Sequence, residues 1–169
     1  MTRDEDFSAY ASARWGTLVR AAILLGCSHP DAEDLAQTAL VRSYISWEKV
    51  MKADDRDAYV YRTLLNAHAT SRRRRWWSER PSADIAVDRI PADAFGLADL
   101  TDSVRRALAA LGAPARAVVV LRYYADLSEL QTAQALGIPA GTVKSRLSRA
   151  LAQLAHDPHL ADLTEGGSL

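Results

Sequence analysis

LSELQTAQALGIPAGTVKSRLSRALAQL, Leu127 to Leu154, reads as a helix, a tight turn at Gly137 to Pro139, and a second helix with two unlike faces. On a 3.6-residue wheel Val143, Leu147, Ala150, Leu151 and Leu154 form one apolar stripe, which must pack inward. Ser145, Ser148 and Arg149 point the opposite way, with Lys144 and Arg146 on the flanks. Short donors at the centre and cations at the edges suit a helix in a DNA major groove, where base edges face the middle and phosphates line the rims. An ordinary solvated surface helix is the plain alternative. Against it, Gly137 stands where a first helix ends in a left-handed residue, and Pro139 cannot continue that helix. The second helix also has no acidic residue between Pro139 and Leu154, which solubility alone does not require. The stretch is therefore a candidate helix-turn-helix.

Outward from this motif, charge is distributed rather than balanced locally. The chain has 169 residues, with 21 Lys and Arg against 21 Asp and Glu. Residues 1–60 carry seven basic and ten acidic side chains, and residues 61–80 carry six and one. The counts are one and five over 81–104, seven and two over 105–151, and none and three from 152 onward. Two basic islands flanked by acidic stretches describe a chain that meets a polyanion at two places. The single cysteine, Cys27, excludes a disulfide framework or a cysteine zinc cluster and reads as a small buried hydrophobe. The N-terminus has no apolar signal core and no stretch has the length of a membrane span, so a cytoplasmic location without membrane attachment is expected.

Amphipathic spacing from Phe7 to Gly26 predicts a first helix. Ser28, Pro30 and Asp31 then make a cap, a first-turn proline and an acidic residue three places on, opening a helix that runs to about Trp47. Lys49 to Asp57 loses the period and reads as a charged loop. Val60, Tyr61, Leu64, Leu65 and His68 restore it, and this helix leads into Arg72 to Arg75, followed by Trp76 and Trp77. Such a run suits a solvated helix end, where cations complement the dipole. Interleaved with tryptophans, it equally offers cations for a phosphate backbone and flat faces for unstacked bases.

Residues 78–100 are rich in Pro, Ala and Asp and read as a linker. Thr101 to Leu111 is a short helix stopped by Gly112 and Pro114. Ala115 to Tyr124 is taken as helix, because a lone strand would have no partner strand anywhere in the chain. The predicted fold class is all-α: two small helical domains, 1–80 and 101–157, joined by a flexible acidic linker over 81–100, with a frayed tail over 158–169. No glycine-rich phosphate loop, nucleophile elbow or paired catalytic carboxylates appear, so an enzyme, a metal site and a cofactor are not expected.

With both islands in view, the chain resembles the extracytoplasmic-function (ECF) type of sigma factor of bacterial RNA polymerase. The residues that carry the resemblance are DAEDLAQTALVRSY (Asp31 to Tyr44) with Trp47, AYVYRTLLNAHATSRRRR (Ala58 to Arg75), and Leu111 to Leu154 with its LRYYADLSE and GTVKSRLSRAL segments. The resemblance implies that the helix matching Asp31 to Trp47 docks on a coiled coil of core RNA polymerase through Asp34, Leu35, Gln37 and Arg42. It implies that Tyr59 to Arg73 recognises the −10 element and captures a flipped base, with the loop Val50 to Arg56 shaping the pocket. Arg62 and Asn66 would face the DNA there, and Arg72 and Arg73 would hold phosphates. The helix from Ala140 would read the −35 element as duplex through Thr142, Lys144, Ser145, Arg146, Ser148 and Arg149. Two positions depart from the family's pattern: Gln131, often glutamate, and Pro139-Ala140 in place of a serine-type cap. The implied partners are core RNA polymerase, promoter DNA and an anti-sigma factor. The competing reading from the residues is a free-standing helix-turn-helix regulator of duplex DNA, which leaves the first domain and Arg72 to Arg75 without a task.

Overall fold

A capping box opens the chain. The Glu5 amide donates to Thr2 Oγ1 at 3.2 Å, and the Thr2 amide donates to the Glu5 carboxylate at 2.8 Å, starting α1 (Arg3–Leu24). The computed structural model describes residues 1–78 and 100–165 and is helical throughout its regular elements there. Ser28 caps α2 (His29–Ile45) by accepting from the Asp31 amide, with Pro30 in the first turn as its sequence predicts. The expected linker lies, apart from Leu100, outside the described residues.

The charged loop expected from Lys49 is shorter than its composition suggests. Trp47 and Val50 are each fully buried, and that burial extends order into α3 (Trp47–Lys52) despite the lysines that alternate with them. The Trp47 ring meets Phe7 edge-on at 5.2 Å and Tyr10 at 5.3 Å, and its Nε1 donates to Asp6 at 3.1 Å. Asp55 then accepts from the Ala58 amide at 2.7 Å and starts α4 (Arg56–Ser78). Asp57 in the first turn of α4 takes both ends of the Arg14 guanidinium, at 2.7 and 3.0 Å, and the Tyr10 hydroxyl at 2.8 Å. This ties α1 to α4.

In the second half, α5 (Leu100–Ala110) is followed by α6 (Ala113–Val119), whose last turn widens into a π-helical turn over Val120–Tyr124. Val118 to Val120 are buried, so the apolar run is helix core, as predicted, rather than a strand. A second capping box, Ser128 with Gln131, opens α7 (Glu129–Leu136). Gly137 ends it at φ +65°, and α8 (Ala140–Ala155) follows from Pro139. The tail does not simply fray: Pro158–Glu165 forms α9, which packs on α5.

The two helical parts pack against each other. One cluster of buried residues includes Leu18, Leu35, Trp47 and Leu64 from the first part and Leu108, Leu121, Leu127 and Ala135 from the second. Polar contacts cross the same seam. Arg116 on α6 donates from Nη1 to the Leu25 carbonyl at 3.1 Å, while its Nε and Nη2 reach the carbonyls of Leu108, Ala109 and Leu111 at 2.9 to 3.1 Å. Arg20 donates to the Tyr124 hydroxyl, and Gln131 donates to Asp55. Gly26 sits at φ +109°, and a Cβ there would lie 3.0 Å from Arg116 Nη1.

Gly26→Ala therefore combines a strained φ with a collision against the guanidinium. It should cost about 1–3 kcal/mol, measured by urea unfolding. A second expectation concerns acid. Burial, and then the charges of Arg72, Arg116 and Arg75, hold the His68 pKa below its ordinary 6.5. The unfolded chain thus takes up this proton first, so stability falls as pH drops from 6.5 toward the lowered folded value and is indifferent to His68 above 6.5. His68→Gln should flatten that part of the stability profile. It should leave the more acidic loss, where Asp31, held low by Arg75, is protonated below 3.8.

Candidate nucleic-acid interface

The turn that separates α7 from α8 is built from backbone chemistry. Gly137 takes the left-handed conformation at the C-terminus of α7, and the Ile138 amide returns to the Ala133 carbonyl at 3.1 Å. From Pro139 onward the second helix sets its faces as the wheel predicts. Val143 and Ala150 are buried, Leu147 and Leu154 are half-buried, and Lys144, Ser145, Ser148 and Arg149 are exposed. Thr142 and Arg146 are half-buried on the flanks. Leu151 lies at the edge of the expected stripe and is 38% exposed. Ser145 donates to the Thr142 carbonyl at 3.2 Å, and Arg149 Nε donates to the Ser145 carbonyl at 3.3 Å, so both side chains lie along the helix surface.

On α4, Arg62, Asn66, Arg72 and Arg73 are exposed, whereas Val60, Tyr61, Leu64 and Ala67 face the core. Trp76 and Trp77 are exposed at its end. The pairing pattern of the cations is informative. Arg14, Arg56, Arg75, Arg105 and Arg106 each make an ion pair with a carboxylate. None of Arg62, Arg72, Arg73, Lys144, Arg146 and Arg149 has such a partner among the described residues. Charges left unneutralised on two islands supply the field that attracts a polyanion.

The face of α2 corrects one expectation. Asp34, Gln37 and Arg42 are exposed, but Leu35 is 7% exposed and belongs to the core with Ala36, Ala39 and Leu40. Leu35 therefore offers little surface to a partner on this face. The apolar residues that do stand on the outer face are Val41 and Ile45, 51% and 72% exposed. With Asp34 and Gln37 they follow a spacing of three and four. The signal for them was their position out of phase with the core stripe. The predicted −10 pocket loop contracts to Ala53–Asp55 between α3 and α4, and Asp55 is held by Gln131 of α7. Arg62 reaches within 4.0 Å of where a Cβ on Gly137 would stand. The first helix of the motif and its turn thus lie against the α4 face that carries Arg62.

Cys27, expected to be an inert buried residue, is half-buried with its Sγ 3.5 Å from His68 Nδ1. Burial first, and the charge of Asp31 second, push the thiol up to about 11, which keeps it protonated. No group of three His, Cys, Asp or Glu side chains among the described residues could hold a metal ion. No helix there is long and apolar enough to cross a membrane.

Comparison with known proteins agrees with this geometry. Residues 101–154, from the start of α5 to the end of the motif, match the family model described as "Sigma-70, region 4". The RNA polymerase sigma-E factor of Streptomyces avermitilis is 36% identical over 167 residues, covering 94% of this chain and 88% of that protein. The sigma-E factor of Streptomyces coelicolor is likewise 36% identical, over 94% of this chain and 89% of its own. The ECF sigma factor SigW of Bacillus subtilis is 27% identical over 75% of this chain and 74% of its own. Among solved structures, the sigma factor RpoE bound to the anti-sigma factor NepR from Bartonella quintana superposes with a TM-score of 0.75 at 28% identity, covering 89% of this chain and 94% of that one. CnrH, in complex with the cytosolic domain of CnrY, shares the fold at a TM-score of 0.65. The chain therefore belongs to the ECF family of RNA polymerase sigma factors, non-enzymatic proteins that direct the polymerase to promoters.

Proposed function

We propose that the two basic islands divide the promoter between them. In this reading α8 lies in the major groove of the −35 element, with Lys144, Ser145, Ser148 and Arg149 toward base edges and Thr142 and Arg146 beside the phosphates. The outer face of α4 takes the −10 element, with Arg62 and Asn66 toward bases and Arg72 and Arg73 on phosphates. The single observation that carries this is the clustering of unneutralised cations: Arg62, Arg72 and Arg73 on α4 and Lys144, Arg146 and Arg149 on α8 have no carboxylate partner among the described residues, whereas Arg14, Arg56, Arg75, Arg105 and Arg106 do. Core polymerase is assigned to the outer face of α2, where Asp34, Gln37 and Arg42 flank Val41 and Ile45. Apolar anchors rimmed by charge are what a specific protein interface needs. The domain division at 1–80 and 101–157, a cytoplasmic location and an anti-sigma partner belong to the same proposal. The last is supported by the NepR-bound RpoE relative.

The packed arrangement then imposes a condition. Elements centred at −35 and −10 are about 25 base pairs apart, roughly 85 Å at about 3.4 Å per pair. A folded chain of this size has a radius of gyration of about 15 Å, so halves packed as here cannot reach both. The stretch 79–99 between α4 and α5 can span at most about 75 Å when extended, which is ample once the seam opens. Promoter engagement thus requires α7 to leave α4.

Four measurements test these assignments and the opening they require. Arg149→Ala should weaken −35 recognition by about 1–3 kcal/mol, read as a changed promoter preference of reconstituted holoenzyme in a sequence-randomised library; an unchanged preference contradicts base reading. Arg72→Ala should instead lower affinity for all promoters alike and reduce its salt dependence. Ile45→Asp should abolish co-elution with core polymerase while leaving thermal unfolding unchanged, because that side chain is solvated in the free chain. A pair of fluorophores on α4 and α8 should show high energy transfer in the free chain and a loss of it in the promoter complex.

A further inference from the structure

The turn between α1 and α2, the outer half of α4 and Arg116 of α6 enclose a cavity of about 280 Å³. Three guanidinium groups line it, those of Arg72, Arg75 and Arg116, against one carboxylate, Asp31. With His68 neutral, three positive charges and one negative leave a net charge of +2 on a concave surface. Asp31 is already engaged by Arg75 and by the Ser28 hydroxyl, which donates to it at 2.8 Å. Arg116 has spent four donor contacts on backbone carbonyls, so it contributes mainly its field. Arg72 keeps its whole planar fork without a partner among the described residues.

The neighbouring groups add neutral donors. The Cys27 thiol, which retains its proton, lies 3.5 Å from His68 Nδ1, and the neutral His68 ring carries one N–H whose position depends on its tautomer. Ser71 supplies a hydroxyl on the cavity wall. The cations lie close enough to oppose one another: Arg72 disfavours the charge on Arg116, and Arg72, Arg116 and Arg75 all disfavour a charge on His68. Like charges gathered in a partly desolvated cavity cost stability until an anion enters. Neither the promoter reading nor the polymerase reading uses Arg116 or His68.

We propose that this cavity is a binding site for a terminal phosphate dianion, either free phosphate or the phosphate of a small monoester. Arg72 grips it as a bidentate fork, Arg75, His68 and Ser71 complete the hydrogen-bonding shell, and Arg116 closes it from the second half. Because Arg116 and Arg72 belong to different halves, the bound anion strengthens the seam. It also withdraws Arg72 from DNA, a consequence that rests on the promoter reading above, whereas the site itself does not.

The test titrates the full-length chain with potassium phosphate against potassium chloride of equal ionic strength, by calorimetry and by thermal unfolding. Saturable one-site binding and a rise in Tm with phosphate are expected, and glycerol phosphate should reproduce both. Arg72→Ala, at an exposed position that should leave the circular dichroism spectrum unchanged, should weaken binding by about tenfold or more, the worth of a charge-assisted fork. Lys49→Ala, on α3 and outside the cavity, should bind phosphate as the parent does. Dimethyl phosphate, a diester like the DNA backbone, should bind far more weakly than phosphate. A response that does not saturate, equal loss in Arg72→Ala and Lys49→Ala, an Arg72→Ala variant that binds normally, or equal affinity for the diester would each overturn the proposal. All of these readouts are taken without DNA or polymerase, so failure of the promoter reading leaves them interpretable.

Discussion

The Arg116 guanidinium ties together the C-terminal ends of two helices, α5 and α1. It donates to the carbonyls of Leu108, Ala109 and Leu111 around the end of α5, and to that of Leu25 at the end of α1. Helix C-termini leave orphan carbonyls and a partial negative charge, and a buried cation is the strongest available partner for both. Partial burial pulls its pKa down, and the carbonyl dipoles offset that cost. The contact is possible because position 26 lacks a side chain. Gly26 is thus a requirement of the seam as well as of its own turn.

Much of the fold was legible because it rests on local chemistry. The Ser28 and Ser128 caps, Pro30, the left-handed Gly137 and the two-faced helix after Pro139 act within a few residues, and sequence spacing records them directly. The expected charged loop after Lys49 failed for the opposite reason. Trp47 is fixed by ring contacts with Phe7 and Tyr10, some forty residues away, and Val50 is buried in the same core, whereas a local window sees only the lysines beside them. Leu35 shows the same limit. Its family match places it on a docking helix, but only the packed structure separates the core phase of α2 from the outer phase that carries Val41 and Ile45. The seam was illegible altogether: Arg116 with Leu25, and Gln131 with Asp55, are single long-range pairs with no periodic signature.

The arginines divide by task. Those at positions 14, 56, 75, 105 and 106 meet carboxylates, and exposed pairs of this kind contribute little to stability while fixing local geometry. Those assigned to DNA are kept unpaired, which costs little on a solvated surface and preserves the counter-ion release that favours polyanion binding. Arg72 lies at the boundary between these groups. It faces the cavity at the seam and also extends the basic island of α4, so whatever occupies the cavity acts on the same side chain that DNA would use.

The proposed promoter engagement needs a seam that can open. The seam's apolar part continues the core of both halves, yet its polar part includes a buried cost: the Tyr61 hydroxyl, beside Tyr124, has no hydrogen-bond partner among the described residues. One orphaned buried hydroxyl subtracts about 1–3 kcal/mol, a large share of what a modest intrachain interface supplies. Arg20 donates to the Tyr124 hydroxyl rather than to that of Tyr61. In the proposed promoter reading, a closed state weakened in this way would hold the two assigned surfaces together in the free chain and yield when polymerase and DNA offer α2, α4 and α8 larger interfaces. The same sequence can then serve both states because the helices themselves are stabilised by their own caps and cores, and only the contacts between halves need to change.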